Sequence, residues 1–261
     1  MAKKNVKLSV AIAVFNEEKN LEECLSSVAA FADEIIVVDG GSSDATVSIA
    51  KKFTSHIIET DNPPMFHINK QKALDACTGD WILQLDADER VTSALKNEIV
   101  SIIHSGKFDI NGYFIPRRNY FWGHWMRKGG QYPDYVMRLF RRGKAHFPAK
   151  NVHEQIEVVR KPGYLTEPMD HISYRTREDY WKKADAYTTL AAYEMKKNSV
   201  SKNAWTWFTY NIIKPKMTFL SLFIRHKGFM DGWYGLVFAY WSALHFPIAY
   251  KKFQKLWERN R

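Results

Sequence analysis

Two aspartates separated by one residue, Asp86 and Asp88, are the part of this sequence best suited to chemistry. They directly follow an apolar segment, 81–85, that has the composition of a buried strand. Where the chain turns after such a strand, two carboxylates at this spacing can reach the same side. Hard oxygen ligands of this kind suit Mg²⁺ or Mn²⁺, which commonly join one or two carboxylates to substrate phosphates. The same position also suits capping of the predicted helix 93–104 by Asp88 or Thr92, so both interpretations stay open.

Polar residues also end two other predicted strands. Asn16 and Glu17 follow the apolar segment 8–15, and Asp39 follows the segment 34–38. A single acidic residue at a strand end is commonly a turn or cap former. Three such ends in one open α/β sheet, however, converge on the crevice beyond the carboxyl ends of the strands, where ligands bind. The sequence therefore predicts a ligand site at this edge.

The elements that must position these residues alternate between strand-like and helix-like patterns. Strands are predicted where apolar residues are continuous, at 8–15, 34–38, 56–59 and 81–85. Helices are predicted where apolar residues recur at helical spacing or follow a cap, at 17–31, 45–53, 67–76 and 93–104. The alternation predicts an α/β fold with a mostly parallel central sheet flanked by helices. Further along, strands are predicted at 113–115, 135–140 and 152–159, and a helix at 176–198.

Several enzyme classes are excluded by missing motifs. The chain has no GxxxxGK[ST] loop, no GxGxxG after the first strand and no GxSxG elbow.

Its two cysteines, Cys24 and Cys77, give no disulfide framework and indicate buried thiols in a reducing compartment. An apolar fraction of 46% excludes a disordered chain. No signal peptide is expected, because the short apolar run near the start lacks a cleavage site.

The formal net charge of +10 is confined to the C-terminal quarter of the chain. Residues 195–261 hold 12 Lys and Arg against Asp231 and Glu258, whereas residues 1–194 hold 26 charges of each sign. The same 67 residues carry 16 of the 38 aromatic side chains. This asymmetry predicts a polyanionic partner, either nucleic acid or an anionic membrane.

The pattern within this tail favours the membrane. Residues 232–250 contain no charged side chain, and two further apolar segments, 204–213 and 217–224, are bracketed by cations. Apolar and aromatic patches flanked by Lys and Arg are typical of segments that lie on an anionic leaflet. Monotopic attachment is predicted, with a single span at 232–250 as the alternative. Completion of the hydrophobic core is the structural alternative for some of the aromatic residues.

Taken together, these motifs resemble the family 2 glycosyltransferases of the GT-A fold. Three matching segments, 10–17, 35–46 and 80–89, occur in the expected order and spacing. The chain is most similar to the small enzymes of the lipopolysaccharide-core glucosyltransferase type. That subgroup also carries segments like 137–142, 152–154, 171–174 and 227–235, so the resemblance covers nearly the whole chain.

The resemblance implies a role for each matching residue. A nucleotide-sugar pocket is implied for Phe15, Asn16, Glu17, Asp39, Asp86, Gly129, Gly130 and Arg138. Asp39 would take the base or ribose, and Asp86 would contact ribose and metal. Asp88 would bind Mg²⁺ or Mn²⁺ directly, and His171 would be a further metal ligand. Arginine is a natural diphosphate clamp, although a solvated Arg138 is the simpler alternative. Lys70 and Lys72 could face the crevice, although a solvated helix face is the expected position.

Glu154 stands where the family's catalytic carboxylate is expected. An acceptor hydroxyl needs a base as it attacks, and a carboxylate in reach typically contributes about 10²–10⁴-fold. Where relatives carry an acidic pair, this chain has His153 followed by Glu154. His153 points to the opposite face if the strand is regular. Glu154 is therefore the predicted base, and direct displacement with inversion is the predicted course.

The resulting prediction is a metal-dependent inverting glycosyltransferase. Its GT-A-like catalytic domain would span 1–194, with a nucleotide-sugar half at 1–110 and an acceptor-side half at 111–194, followed by a helical membrane-associating tail at 195–261. The expected partners are a UDP-sugar donor, a lipid-linked or lipopolysaccharide-type acceptor and the anionic cytoplasmic face of the inner membrane, and no nucleic acid. A polyprenyl-phosphate sugar synthase of the same fold and, less favoured, a basic nucleic-acid-binding protein remain as alternatives.

Overall fold

The computed structural model describes residues 6–63, 65, 67–105, 109–148 and 156–258, and side chains as far as residue 256. The strands are β1 (Leu8–Val14), β2 (Glu34–Asp39), β3 (Ile57–Glu59), β4 (Trp81–Leu85), β5 (Glu89–Arg90), β6 (Gly112–Phe121), β7 (His124–Trp125), β8 (Asp134–Arg141), β9 (Ala145–His146), β10 (Glu157–Val158), β11 (Gly163–Tyr164) and β12 (Met169–Tyr174). The helices are α1 (Leu21–Ala29), α2 (Thr46–Ala50), α3 (His67–Ala76), α4 (Ser93–His104), α5 (Arg177–Lys197), α6 (Ala204–Phe208), α7 (Lys214–Leu220) and α8 (Gly232–Glu258).

The predicted α/β class with a central sheet and C-terminal helices is confirmed. The sheet has the order β3-β2-β1-β4-β8-β6-β12-β5. Strands β3, β2, β1 and β4 are parallel to one another, whereas β8 joins β4 and β6 in antiparallel pairs. The sheet is therefore mixed, and its parallel half is the part that the strand–helix alternation predicted.

The apolar runs of the sequence are explained by the position of their strands. β1 lies between β2 and β4, and six of its seven residues are buried. A central strand covered on both faces must be apolar throughout. Helix α1 buries Leu21, Cys24, Leu25 and Val28, the stripe that its spacing predicts.

The residues that cap the helices show whether the nearby acidic residues are needed as helix caps. Helix α4 is capped by Thr92, whose Oγ1 accepts a hydrogen bond from the Leu95 N–H at 3.1 Å. Asp88 is therefore not needed as its cap. Before α2, Asp44 accepts from the Thr46 N–H at 3.0 Å, although the cap position itself is Ala45.

Strands β10 and β12 lie in the second half of the chain. Of the strand predicted at 152–159, residues 152–155 lie outside the described residues, and Glu157–Val158 form β10, which pairs with β9. Strand β12 was not predicted, because Asp170 and His171 interrupt the apolar alternation that signals a strand.

The chain divides into two compact units, Met1–Arg117 with Asp134–His171, and Arg118–Pro133 with Ile172–Arg261. The second unit has its own core of aromatic residues that pack around Phe121, Tyr180 and Trp241, mostly edge to face or tilted. Helices α5 and α8 share a cluster in which Ala192 and Met195 pack with Tyr250 and Phe253. Helix α5 belongs to the same unit as the C-terminal helices, and the domain boundary after residue 194 stays a prediction. Of the helices described, none combines the length and hydrophobicity needed to cross a bilayer.

Candidate active site

The parallel strands bring three of the predicted site residues to one edge of the sheet. Val14 is paired with Asp39, and Ile12 with Leu85, so that Asn16, Asp39 and Asp86 lie at or just after neighbouring strand ends. Phe15 is 43% exposed at this edge. An exposed aromatic ring beside polar strand ends is suited to stacking on a planar ligand.

Asn16 and Asp39 shape the loop at this edge. Asn16 adopts φ +54°, and its Oδ1 accepts from the Ser43 N–H at 2.8 Å. Asp39 is buried, and its Oδ2 accepts from the backbone N–H groups of Gly41 and Ser42, each at 2.9 Å. Both side chains thus order the loop that leads into α2. Their contact with a base or ribose stays a prediction.

Glu17 belongs to the same loop region. Its N–H donates to the Thr46 hydroxyl at 2.7 Å, and its carboxylate accepts from Asn20 at 2.8 Å. These bonds tie the end of β1 to the starts of α1 and α2. The side chain is partly exposed at the edge, where the predicted nucleotide pocket lies.

Asp86 lies between two cations. The Arg138 Nη2 donates to Asp86 Oδ2 at 2.6 Å, and the Lys70 ammonium pairs with Asp86 Oδ1. Burial alone would raise the pKa of Asp86, but the charges of Arg138 and Lys70 outweigh it and hold that pKa well below its usual range. Lys70 is therefore at the crevice, and its predicted position on a solvated helix face is wrong. The helix α3 turns this one lysine inward, which its spacing alone did not indicate.

Arg138 is also not solvated. Its side chain is 8% exposed and lies against the carboxylates of Asp86 and Glu89 and the amide of Gln84. Desolvation would lower the pKa of Arg138, but these two carboxylates raise it, so the guanidinium stays charged. Its direct contact with a donor phosphate stays a prediction.

Asp88 lies beside His171. The Nε2 of His171 is 3.4 Å from Oδ2 of Asp88, and both side chains are partly exposed. Strand pairing explains the contact, because β12 lies antiparallel to β5 with His171 opposite Glu89. The structure thus brings together two of the three residues that the resemblance marks as metal ligands, Asp88 and His171.

Asp88 and His171 offer one oxygen and one nitrogen donor. Among the described residues, no group of three or more His, Cys, Asp or Glu side chains is placed to hold a metal ion. Mg²⁺ and Mn²⁺ sites commonly use one or two protein ligands, with substrate phosphates and water completing the shell. The pair therefore fits a metal that binds together with a diphosphate, and it does not fit a closed structural site.

Glu89 is the residue of this region to which the sequence assigned no role. It directly follows the two aspartates of the segment Asp86–Asp88, the DxD segment, and it is completely buried. Its carboxylate contacts Arg138 at 2.9 Å and Arg117 at 3.3 Å. The sequence holds one signal for this role, because an acidic residue that is buried beside a strand must be paired. It does not show, however, that Glu89 is buried.

Gly129 and Gly130 belong to the second compact unit. They adopt φ +64° and +74°, a region that favours glycine, and the Gly129 N–H donates to the His226 carbonyl at 2.9 Å. The preceding residues are held by the carboxylate of Asp231, which accepts from the Arg127 and Lys128 N–H groups at 3.1 and 2.8 Å. The glycine loop is therefore well fixed within its unit. Glu154, the predicted base, and His153 lie outside the described residues.

The order of strands, the polar carboxyl edge and the Asp88–His171 pair are suited to a nucleotide with phosphates, because ligands of α/β sheets commonly bind at this edge. The model of the family named "Glycosyl transferase family 2" matches residues 9–200. The chain belongs to glycosyl transferase family 2, and it is a glycosyltransferase.

Relatives agree with this membership. The chain is 30% identical over 258 residues to the lipopolysaccharide core biosynthesis glycosyltransferase LpsC of Rhizobium meliloti (strain 1021), and the match covers 90% of each chain. It is 36% identical over 104 residues to the uncharacterized glycosyltransferase RT0209 of Rickettsia typhi (strain ATCC VR-144 / Wilmington), covering 40% of this chain and 35% of the relative.

Solved structures give a partial match. The glucosyl-3-phosphoglycerate synthase from Mycobacterium tuberculosis, solved in complex with Mg²⁺ and uridine-diphosphate, has a TM-score of 0.39 and 23% sequence identity. The match covers 45% of this chain and 46% of that chain, so the chain spans less than half of this neighbour. The same synthase in complex with Mn²⁺ and uridine-diphosphate-glucose has a TM-score of 0.38. At these scores the matches carry no conclusion about activity.

Proposed function

We propose that this glycosyltransferase transfers a sugar from a UDP-sugar to a lipopolysaccharide-core or lipid-linked acceptor, with a divalent metal and with inversion at the anomeric carbon. The observation that carries the proposal is the Asp88–His171 pair beside the carboxyl edge of the sheet. The lipopolysaccharide core relative supports the choice of acceptor. Transfer would take place at the cytoplasmic face of the inner membrane.

We propose a separate role in the reaction for each of these residues. Phe15, Asn16 and Asp39 would border the nucleoside, and Asp88 with His171 would hold Mg²⁺ or Mn²⁺. The bound cation would stabilise the charge that builds on the leaving diphosphate. The acceptor hydroxyl attacks the anomeric carbon while the bond from that carbon to the diphosphate breaks. Glu154 would take the hydroxyl proton, so no enzyme nucleophile is needed.

The donor and the metal are tested together by thermal unfolding. A ligand that binds only the folded state raises its stability by mass action. UDP-, GDP-, dTDP- and CMP-linked sugars are compared, each with and without Mn²⁺. We expect a rise in Tm for UDP-sugars that requires Mn²⁺. An equal response to all four nucleotides, or a UDP response independent of Mn²⁺, would contradict the proposal.

The acceptor is tested by transfer. Purified protein, the UDP-sugar found above and Mn²⁺ are incubated with truncated lipopolysaccharide core or with polyprenyl phosphate. We expect the label in the core oligosaccharide, and NMR of the product should show the anomeric configuration opposite to that of the donor. Transfer to polyprenyl phosphate alone would favour the synthase of the same fold instead.

Attachment to the membrane is supported by the helical segment 204–225. It consists of α6, a π-helical stretch Thr209–Ile213, α7 and a second π-helical stretch Ser221–Arg225. Large apolar side chains along it are 42% to 67% exposed: Trp205, Trp207, Phe208, Ile212, Met217, Leu220 and Ile224. Where exposed apolar side chains form a contiguous surface, they mark a site for a partner or a membrane.

The two π-helical stretches would help to keep four of these side chains on one side. Phe208, Ile212, Leu220 and Ile224 follow a four-residue repeat, with Lys216 at the remaining step. In an α-helix with 3.6 residues per turn, a four-residue repeat drifts around the axis. A π-helix bonds i to i+5 and turns less per residue. The stretches therefore reduce the drift and preserve an apolar stripe.

The charges beside this stripe favour an anionic bilayer over another protein surface. Lys214, Lys216, Arg225 and Lys227 lie in or directly after the segment, and Asp231, the first acidic residue after it, is buried. Each cation near an anionic leaflet contributes about 1 kcal/mol. We therefore propose that the segment 204–225 lies in the headgroup region of the membrane.

A further inference from the structure

A pair of buried, oppositely charged side chains lies under the DxD segment. Glu89 is completely buried and Arg138 nearly so. The Arg138 Nε donates to Glu89 Oε2 at 3.0 Å, and its Nη2 donates to Glu89 Oε1 at 2.9 Å. Buried ion pairs contribute little net stability, because desolvation opposes their attraction. Stability alone therefore gives a weak reason for placing this pair here.

Glu89 fixes the backbone of the DxD segment. Its Oε2 accepts from the Asp86 N–H at 3.0 Å, and its own N–H donates to the Asp86 carbonyl at 2.9 Å. The Cys24 thiol lies 3.6 Å from that same carbonyl. Both backbone polar groups of Asp86 are thus engaged, and the turn that carries Asp88 is closed by two hydrogen bonds.

Arg138 fixes the side chain of the same residue. Its Nη2 donates to Asp86 Oδ2 at 2.6 Å, and its Nη1 donates to the Gln84 amide oxygen. The Gln84 amide nitrogen in turn donates to Asp86 Oδ1 at 3.1 Å, and Lys70 pairs with the same oxygen. Charge-assisted bonds of this type are short and directional. Each carboxylate oxygen of Asp86 therefore has a cation as its partner.

We propose that Glu89 and Arg138 are positioning residues, which hold Asp86 so that Asp88 is presented beside His171. In this arrangement Asp86 supports the site through Arg138 and is not itself a ligand of the metal. The inference rests on the proposed metal-dependent function. Residues that orient a metal ligand typically change metal affinity by about 10–100-fold when they are replaced.

The charges of the network make the proposal testable. Lys70, Arg138 and Arg117 are balanced by Asp86, Glu89 and Asp134. Asp86→Asn leaves one excess positive charge near Asp88, which should weaken cation binding. Arg138→Gln alone should also weaken binding, and adding it to Asp86→Asn should cost little more if Asp86 acts only through Arg138. If Asp86 were a ligand, the two losses should add, because a ligand oxygen and a positioning contact would be removed separately.

The measurement is the affinity of Mn²⁺ in the presence of UDP, from the EPR signal of free Mn²⁺. We expect Asp88→Asn and Asp86→Asn to weaken binding about tenfold or more. Arg138→Gln should weaken it similarly, and the double variant Asp86→Asn/Arg138→Gln should lie within about threefold of the weaker single variant. A double variant in which the two losses multiply overturns the positioning role. Wild-type protein that binds no Mn²⁺ with UDP overturns the metal-dependent function itself, which is a different outcome.

Glu89→Gln gives an independent test if the double variant does not fold. It keeps the shape of the side chain and an acceptor for the Asp86 N–H but removes the charge that faces Arg138. We expect Mn²⁺ affinity to fall about tenfold, with a larger effect on kcat than on the donor KM. Glu22→Gln, at an exposed ion pair with Lys52, is the matched control and should leave both values unchanged. Unchanged Mn²⁺ affinity in a folded Glu89→Gln protein overturns the proposal.

Discussion

The Nε2 of His171 lies 3.4 Å from Oδ2 of Asp88, across the antiparallel pairing of β12 with β5. This contact brings a residue from the end of the first compact unit to the segment that follows β4. It depends on a strand that the sequence pattern did not indicate. The DxD motif on its own therefore describes only half of the pair.

Replacement of either member of this pair should abolish metal-dependent donor binding. Asp88→Ala removes an oxygen ligand, and His171→Ala removes a nitrogen ligand, so the rise in Tm with UDP-sugar and Mn²⁺ should disappear in both. Donor hydrolysis should be lost with it. Asp109→Asn, at an exposed carboxylate, is the control and should respond as wild type does. A normal Mn²⁺ response in Asp88→Ala would reject its metal role.

How far the sequence predicts this site depends on the kind of contact. Asn16, Asp39 and Asp86 could be placed together, because the carboxyl ends of parallel strands meet at one edge whatever the details of packing. Lys70, Glu89 and Arg138 could not, because their roles depend on which side chains are enclosed between β4 and β8. The contact of His171 depends on the register of an irregular strand. A single sequence therefore could not predict which distant strands pair in which register, or which charged side chains are buried.

Glu154→Gln should separate chemistry from binding. If Glu154 removes the proton of an acceptor hydroxyl, kcat should fall about 10²–10⁴-fold, with Mn²⁺-dependent UDP binding unchanged. Single-turnover transfer and the thermal shift measure the two quantities. A phosphate acceptor needs little base, so a small loss of rate would support the polyprenyl-phosphate synthase. His153→Gln serves as the neighbouring control and should retain activity.

Acid should destabilise the wild-type protein more than Asp86→Asn. The folded-state pKa of Asp86 lies well below its unfolded value of about 3.9. Its contribution to stability is therefore fully present above that unfolded value and is lost as the pH falls toward the folded pKa. Urea unfolding between pH 7 and pH 3 should show a steeper loss in wild type below about pH 4. Parallel curves for the two proteins would contradict the pairing of Asp86 with Arg138 and Lys70.

Thr92→Ala should destabilise the fold by about 1–2 kcal/mol. The Thr92 hydroxyl accepts from the Leu95 N–H at 3.1 Å and donates to the Pro168 carbonyl at 3.0 Å, so one substitution removes a helix cap and a link to the chain before β12. Thr92→Ser keeps the hydroxyl and should retain most of the stability. Urea unfolding gives the free energies. A loss in Thr92→Ser as large as in Thr92→Ala would show that the methyl group, not the hydroxyl, is important.

Removing the exposed apolar stripe should release the protein from anionic vesicles. Ile212, Leu220 and Ile224 are 44%, 45% and 54% exposed, so their replacement by Ser leaves the cores described above largely untouched. Burial of each such side chain in the headgroup region contributes on the order of 1 kcal/mol, and the triple variant should partition about tenfold or more weakly in flotation. Val159→Ser, 56% exposed outside the segment, is the matched control. High salt should weaken wild-type binding by screening the cations, and uncharged lipid should bind less than anionic lipid. Equal flotation of the triple variant and the control would show that the membrane contact lies elsewhere. Salt-sensitive binding of the wild-type protein to an oligonucleotide, without binding to vesicles, would favour nucleic acid as the partner.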